Sequence, residues 1–143
     1  MQTFGAIYIG TYEMSLRVYE VSTKKQYKEL DFVRVGLDLE KDIQKYDKVS
    51  DKTIDVISEG LNGFKDVMDG YGVRDYVVNI SPAIKFASNK IFLLEQIYNR
   101  TGMRIKALSN SEQKYLDLFA LTESDNYDQM AQEGIIIVDV GGN

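Results

Sequence analysis

The first third of the chain alternates apolar and polar residues with a period of two, which is the pattern of a half-buried β-strand. Residues 3–9, 14–21 and 27–35 have this pattern and are rich in β-branched and aromatic residues. A polar break at Thr23-Lys24-Lys25 separates the second segment from the third. We therefore predict three consecutive strands that pair as an antiparallel meander.

A helical spacing replaces this alternation after residue 50. Residues 36–50 are mixed in pattern and rich in charge, so they favour a surface loop, with a solvated short helix over 40–48 as the alternative. Ser50 or Asp51 then has the character of a helix N-cap. Apolar residues follow at intervals of three and four, which predicts a helix with one apolar face that ends at Gly70-Gly72. They are Ile54, Ile57, Leu61, Phe64, Val67 or Met68, and Tyr71.

The middle of the chain predicts one buried strand and a second long helix. Residues 76–80 form a short run rich in β-branched residues, which is typical of a buried strand. Ser81-Pro82 is a typical helix start, with serine as the cap and proline in the first turn. Apolar residues at helical spacing then continue to Thr101-Gly102, where we expect the helix to end.

The last part of the chain repeats this strand and helix order. Residues 104–108 alternate as a half-buried strand, and Ser109 or Ser111 caps a further helix. A short polar helix is predicted over 128–132 and a closing strand over 135–140. The predicted order is therefore βββαβαβα and one further strand, which indicates an α/β fold with a mixed sheet and helices on both faces.

Composition excludes several classes of protein and of site. The 143 residues suit one domain, and no apolar run is long enough for a membrane span or a signal peptide. The chain has no cysteine, which agrees with a reducing compartment and excludes disulfides and thiol chemistry. It also has no histidine, which excludes Ser-His-Asp catalysis and histidine-based zinc sites within this chain. We expect a cytoplasmic protein without a membrane partner.

The net charge bears on the kind of partner. It is -5, and no dense basic run is present, so a DNA-binding role is not expected. An acidic protein can still bind phosphate through a local group of backbone amides. The charge therefore leaves phosphorylated ligands open.

Segments 6–11 and 137–142 share one sequence pattern. Each is a β-branched run that stops on glycine, as a buried strand does where it enters a tight turn. Glycine lets the main chain approach an anion closely, and adjacent N–H groups of such a turn can surround a phosphate. We predict two phosphate-binding turns, the first with Gly10 and Thr11 and the second with Gly141 and Gly142.

Four motifs in this order make the whole chain resemble the Ppx/GppA family of exopolyphosphatases and guanosine pentaphosphate phosphohydrolases. Residues 8–11, Tyr-Ile-Gly-Thr, stand where the family has an Asp-Ile-Gly-Ser phosphate loop. Residues 81–85 are similar to its Ala-Thr-x-Ala-x-Arg turn, and residues 108–113 to its Ser-Gly-x-Glu-Glu helix start. Residues 138–142 resemble its second phosphate loop, Asp-x-Gly-Gly-Gly.

The chain departs from the family pattern at three positions that carry chemistry. Tyr8 replaces the aspartate of the first loop. Lys85 replaces an arginine, which keeps the charge but loses the planar fork that binds two phosphate oxygens. Gln113 occupies the position of the glutamate that the family uses to activate water, and an amide cannot accept that proton.

The resemblance implies a ribonuclease H-like domain of the actin and hexokinase type over residues 1–124. Residues 125–143 would then be a linker and the first strand of a second domain. The implied activity is hydrolysis of phosphoanhydrides, with polyphosphate or a guanosine penta- or tetraphosphate as substrate. In this hypothesis Ser81 and Lys85 contact phosphate, Asp139 helps to hold Mg²⁺, and Glu112 with Gln113 occupies the position of the base.

Other interpretations of the same residues remain open at this point. Tyr8 is also typical of a half-buried sheet tyrosine, and Lys85 of a solvated helix lysine. The substitutions at Tyr8 and Gln113 favour a second function, a non-catalytic module that binds polyphosphate or a nucleotide in a regulatory role. Because the family fold places catalysis between two domains, we expect the 143-residue chain alone to be inactive. An apolar strand at 135–140 without neighbours would favour a homodimer.

Overall fold

The computed structural model describes residues 1–24, 26–123, 126–134, 136 and 138. Three strands open the chain: β1 (Gln2–Ile9), β2 (Glu13–Val21) and β3 (Tyr27–Gly36). Helices α1 (Leu39–Tyr46) and α2 (Asp51–Gly70) precede β4 (Asp75–Ile80). A 3₁₀ helix (Pro82–Phe86), α3 (Lys90–Thr101), β5 (Lys106–Ala107), α4 (Asn110–Thr122) and α5 (Tyr127–Glu133) complete the described elements.

The five strands form one mixed sheet in the order β3-β2-β1-β4-β5. The first three strands pair antiparallel, whereas β4 pairs parallel with β1 and with β5. This is the predicted α/β fold class, with three antiparallel strands followed by parallel ones. Of the predicted closing strand at 135–140, only Ile136 and Val138 are described, and both are exposed residues outside any strand. The domain boundary at 124/125 stays a prediction.

The core lies between the sheet and helices α1, α2 and α3. The alternate residues Ile7 and Ile9 of β1 are buried, as are Ile57 and Leu61 on the apolar face of α2. A Cβ placed on Gly60 of α2 would lie only 2.8 Å from the sulfur of Met14 in β2, so glycine lets helix and sheet approach closely. Helix α4 lies by the other face of the sheet and has no buried residue among those described.

The surface loop predicted for residues 36–50 is wrong over Leu39–Tyr46, where the chain forms α1. Leu39 and Ile43 lie one turn apart and are both buried against the core. They are only two apolar positions among charged neighbours, so the sequence pattern of this short helix is weak. Of the two predictions for this segment, the short helix is confirmed.

Ser81-Pro82 does start a helix, but the helix that it starts is short. The 3₁₀ turn ends at Phe86, and α3 begins only at Lys90. Between them the side chain of Asn89 makes two 2.9 Å hydrogen bonds with the backbone N–H and C=O of Val49. Val49 and Asn89 are 40 residues apart in sequence, so local spacing could not predict that the helix ends before α3.

Ser50 caps α2 and also binds a buried carboxylate. Its hydroxyl accepts a 3.3 Å hydrogen bond from the Thr53 N–H, while Asp42 of α1 accepts hydrogen bonds from the Ser50 N–H and hydroxyl. Burial alone raises the pKa of Asp42, but the hydrogen bonds from Ser50 and Thr53 outweigh it and place the pKa below its ordinary value. The carboxylate therefore stabilises the junction of α1 and α2 in its charged form.

Replacement of Ser50 by alanine removes the cap and one donor to Asp42. We expect Ser50→Ala to lower the free energy of unfolding by about 1–2 kcal/mol, measured by urea denaturation at pH 7. Ser111→Ala, at an exposed serine of α4, is the control and should leave the midpoint nearly unchanged. Equal midpoints for Ser50→Ala and the unchanged chain would contradict the capping role.

Asp42 should also make stability depend on pH in the acid range. Its pKa is lowered by folding, so its contribution is full above the unfolded value of about 3.9 and is lost as the pH falls through the folded value. We expect Asp42→Asn to cost more stability at pH 7 than at pH 2.5. Urea denaturation at both pH values measures this, with exposed Asp66→Asn in α2 as the control. A cost that is equal at both pH values would refute this role.

Candidate functional site

The turn that follows β1 presents backbone amides at the end of the central strand. The Gly10 N–H donates to the Glu13 carbonyl at 2.8 Å and closes the turn between β1 and β2. A Cβ on Gly10 would lie 2.8 Å from that same carbonyl oxygen, so the turn requires glycine. The next two amides, of Thr11 and Tyr12, find no acceptor within the part of the chain that the structure describes. Adjacent amides left open in this way can bind an anion.

Ser81 lies beside this turn because β1 and β4 are parallel. The Ser81 N–H donates to the Ile9 carbonyl at 2.9 Å, which places the ends of the two strands side by side. The Ser81 hydroxyl accepts a hydrogen bond from the Ala83 N–H at 3.3 Å and is buried. The structure therefore brings together three of the predicted site residues, Gly10, Thr11 and Ser81, at the carboxyl edge of the parallel strands, the edge where open α/β sheets bind ligands.

A row of polar side chains crosses the sheet just before this edge. Its members are opposite one another in the strand register. The central members Ser15, Tyr8 and Asn79 alternate with buried residues, so the row lies on the face away from α2. The row combines two cations at its ends with uncharged hydrogen-bonding groups in its centre. In strand order from β3 to β5 it consists of Arg34, Ser15, Tyr8, Asn79 and Lys106.

Tyr8, at the centre of this row, is a neutral hydrogen-bonding group. Its partial burial raises the pKa of the phenol, a hydrogen bond with Ser81 lowers it, and the charge of Asp117 in α4 raises it further. The resulting pKa is above the ordinary value for tyrosine, so the phenol keeps its proton at neutral pH. Where the family pattern has a negative carboxylate, this chain has a group that can donate to an anion.

The carboxylate of Glu112 is occupied by hydrogen-bond and ion-pair partners at the start of α4. Its carboxylate accepts a 2.8 Å hydrogen bond from the Ser109 N–H, and its own N–H donates to the Ser109 hydroxyl at 3.1 Å, which forms a capping box. The other carboxylate oxygen lies 3.2 Å from the ammonium of Lys106. The backbone hydrogen bond from Ser109 and the contacts with Lys106 place the pKa of Glu112 below its ordinary value. A carboxylate held in this way is a weak proton acceptor.

The side chain of Gln113 interacts with Asp117, not with the partners of Glu112. Its amide nitrogen donates to the Asp117 carboxylate at 3.0 Å. Its amide oxygen is buried and has no partner among the described residues. A buried acceptor without a donor is costly, so this position favours a water or ligand that can donate.

Lys85 is the predicted site residue that stands apart. It is exposed on the 3₁₀ helix that follows Ser81, and its ammonium lies 4.9 Å from the centre of the Phe86 ring. The described residues offer it no ion pair with an acidic side chain. Its ammonium is therefore available to an anion in solvent.

The second turn and the proposed metal ligand lie outside the described residues. These are Gly141, Gly142 and Asp139. Within the described ranges, no group of three or more acidic side chains comes together to hold a metal ion. The role of Asp139 stays a prediction.

Sequence reasoning missed three residues of this region: Asn79, Lys106 and Asp117. Asn79 is the polar residue in the otherwise apolar run of β4, and the period of two places it on the face opposite Val78 and Ile80. Asp117 follows Gln113 by four residues, which is the spacing of neighbours on one helix face. These two signals were available in the sequence, whereas the position of Lys106 depends on the pairing of β5 with β4.

No helix in the described ranges is both long and apolar enough to span a bilayer.

No protein-family model matches the sequence. The bifunctional 3-dehydroquinate synthase/phosphatase of Fusobacterium nucleatum is 22% identical over 147 residues, which cover 96% of this chain and 21% of that protein.

Solved structures give the likeness of fold. The Ppx/GppA family member of Aquifex aeolicus superposes with a TM-score of 0.81 at 16% identity, over 87% of this chain and 40% of the other. An exopolyphosphatase of Cytophaga hutchinsonii superposes with a TM-score of 0.70 at 20% identity, over 77% of this chain and 35% of the other. The chain thus spans well under half the length of these relatives. It has the fold of the Ppx/GppA proteins, which confirms at the level of the fold the resemblance that the four sequence motifs indicated.

Proposed function

We propose that this chain is the N-terminal, phosphate-binding domain of an exopolyphosphatase-like hydrolase, which releases phosphate from polyphosphate or from a guanosine penta- or tetraphosphate. The observation that carries the proposal is the turn after β1, where the open amides of Thr11 and Tyr12 lie beside Ser81. Two similar proteins support it by name, the bifunctional 3-dehydroquinate synthase/phosphatase of Fusobacterium nucleatum and an exopolyphosphatase of Cytophaga hutchinsonii.

The donors at this edge suit a phosphate group. The two open amides and the hydroxyl of Thr11 bind phosphate oxygens without requiring a net positive charge. The protonated phenol of Tyr8 adds a donor at the centre of the polar row. Lys85, exposed nearby on the 3₁₀ helix, supplies a mobile positive charge for the next phosphate of a chain.

Hydrolysis at this site requires little covalent chemistry from the protein. A water oxygen attacks the terminal phosphorus, the phosphoanhydride P–O bond breaks, and the leaving phosphate keeps its electron pair. Fixed amide donors stabilise the charge that develops on the phosphate oxygens. Mg²⁺, held through Asp139, would neutralise part of the same charge when bound.

An alternative function is a regulatory module that binds polyphosphate or a nucleotide without cleaving it. Two observations favour it: Glu112 is occupied by the capping box and Lys106, and Gln113 cannot accept a proton. In this alternative the turn after β1 binds the anion as before, but water is not activated.

Phosphate release separates the two functions. We expect the natural protein that carries this chain to release phosphate from polyphosphate in the presence of Mg²⁺, measured with a colorimetric phosphate assay. EDTA should suppress release if magnesium takes part. Binding of polyphosphate without release would favour the regulatory alternative, and absence of both would contradict phosphate binding altogether. The isolated chain should bind without turnover.

Gly10 provides the test of the binding turn itself. An added methyl group would meet the Glu13 carbonyl at 2.8 Å and must displace the turn, so we expect Gly10→Ala to weaken polyphosphate binding about tenfold or more. Calorimetry on the isolated chain measures this, and circular dichroism confirms that the variant is folded. Gly63→Ala in α2 is the matched control, because a methyl there meets no atom within 4 Å. Unchanged affinity in Gly10→Ala would place the phosphate elsewhere.

A further inference from the structure

On the basis of the proposed function, we propose that Asp117 is the proton acceptor of this site and that Gln113 positions both Asp117 and the attacking water. The acidic group then lies one helical turn beyond residue 113. Asp117 becomes a catalytic residue, and no sequence motif identified above contains it.

Helix α4 presents both side chains on one face. Gln113 and Asp117 are four residues apart, which makes them neighbours on a helix surface. Gln113 is the only half-buried residue between 110 and 120, and the others are exposed. The face of α4 that contains Gln113 is therefore the face that lies toward the rest of the protein. The 3.0 Å hydrogen bond between the Gln113 amide nitrogen and the Asp117 carboxylate fixes the two groups relative to each other.

The hydrogen bond to Asp117 orients the Gln113 amide. An ionised carboxylate only accepts hydrogen bonds, so the amide must turn its nitrogen toward Asp117 and its oxygen away. That oxygen is buried and without a partner in the described part of the chain. One water would satisfy it by donating one hydrogen to Gln113 and the other to the second carboxylate oxygen of Asp117. The remaining lone pair of that water would be free to attack phosphorus.

The charge of Asp117 also acts on the centre of the polar row. Tyr8 lies there, next to Ser81, and the charge of Asp117 raises the pKa of the Tyr8 phenol. Asp117 is therefore within electrostatic range of Tyr8, the β1 residue that precedes the turn with the open amides. Glu112, the neighbouring acid, is occupied by Ser109 and Lys106 and does not compete for the role.

The resulting step balances within the site. The water oxygen forms a bond to the terminal phosphorus as the bridging P–O bond breaks, and the water proton passes to Asp117. The bridging oxygen leaves with the bonding electron pair as part of the shortened polyphosphate. No oxidant or reductant is required. Inorganic phosphate is released, and Asp117 then returns its proton to solvent.

The competing explanation is that Gln113 and Asp117 form an ordinary pair on a helix surface, which stabilises a helix only slightly. Such a pair would leave the rate unchanged. We expect Asp117→Asn in the natural protein to lower kcat for polyphosphate by 10²- to 10⁴-fold, the range of a general base. KM should change less than threefold, because the open amides of the turn are unchanged.

Two further variants complete the kinetic experiment. Asp66→Asn, at an exposed acid of α2, is the matched control and should retain the full rate. Glu112→Ala tests the competing assignment of the base. Phosphate release by the unchanged protein together with an undiminished kcat in Asp117→Asn would overturn this inference and leave the proposed function standing. Loss of kcat in Glu112→Ala alone would assign the base to Glu112 and would also overturn it.

A separate measurement on the isolated chain tests the placement without any turnover. Ultraviolet titration of the tyrosines, taken as the difference from Tyr8→Phe, isolates the Tyr8 phenol. We expect Asp117→Asn to lower the pKa of Tyr8 and Asp66→Asn to leave it unchanged. An unmoved Tyr8 pKa would overturn the placement of Asp117. Absence of phosphate release by the unchanged protein would instead overturn the proposed function and, with it, the proton-acceptor role.

Discussion

The parallel pairing of β1 with β4 is the constraint on which the rest of this structure depends. The register of the two strands brings Ile9 opposite Ile80 and joins the Ser81 N–H to the Ile9 carbonyl at 2.9 Å. Because parallel strands end at the same edge of a sheet, the turn after β1 and the serine after β4 must lie together. The buried alternate residues of both strands hold this register, since a slip of one residue would turn the apolar set toward solvent.

The site that results offers an anion hydrogen-bond donors rather than net positive charge. The chain carries a charge of -5, and the two cations of the polar row have acidic neighbours, Arg34 near Glu13 and Lys106 near Glu112. Backbone amides and a protonated phenol are uncharged donors, so acidic side chains nearby do not neutralise them. They are therefore consistent with a phosphate ligand in an acidic protein.

Much of the fold could be predicted because its signals are local. The three opening strands, the cap of α2 at Ser50 and the start of α4 at Ser109 all follow from spacing and capping chemistry within a few residues. The prediction failed where distant residues decide. Leu39 and Ile43 lie in a helix because their side chains pack into the core. The helix that begins at Pro82 ends before α3 because Asn89 forms hydrogen bonds with the backbone of Val49.

The candidate site divides in the same way. The four motifs placed Gly10, Thr11 and Ser81 in one site, and the fold does bring these residues together. The motifs also indicated that Gln113 had replaced a carboxylate. They gave no reason to examine Asp117, because the significance of that residue lies in its neighbours Gln113 and Tyr8 rather than in its sequence position.

The amino-acid sequence by itself determined the order of β1 to β5 and of helices α2 and α4, the glycine turn after β1 and the absence of histidine and thiol chemistry. These properties depend on residue type and local spacing. Only the tertiary structure decided which groups of the site are occupied and which are free. Glu112 is occupied by a helix cap and an ion pair, whereas the Gln113 oxygen and the amides of Thr11 and Tyr12 are without partners in the described chain. Whether a polar group is satisfied depends on which atoms surround it in space, and spacing along the chain does not contain that information.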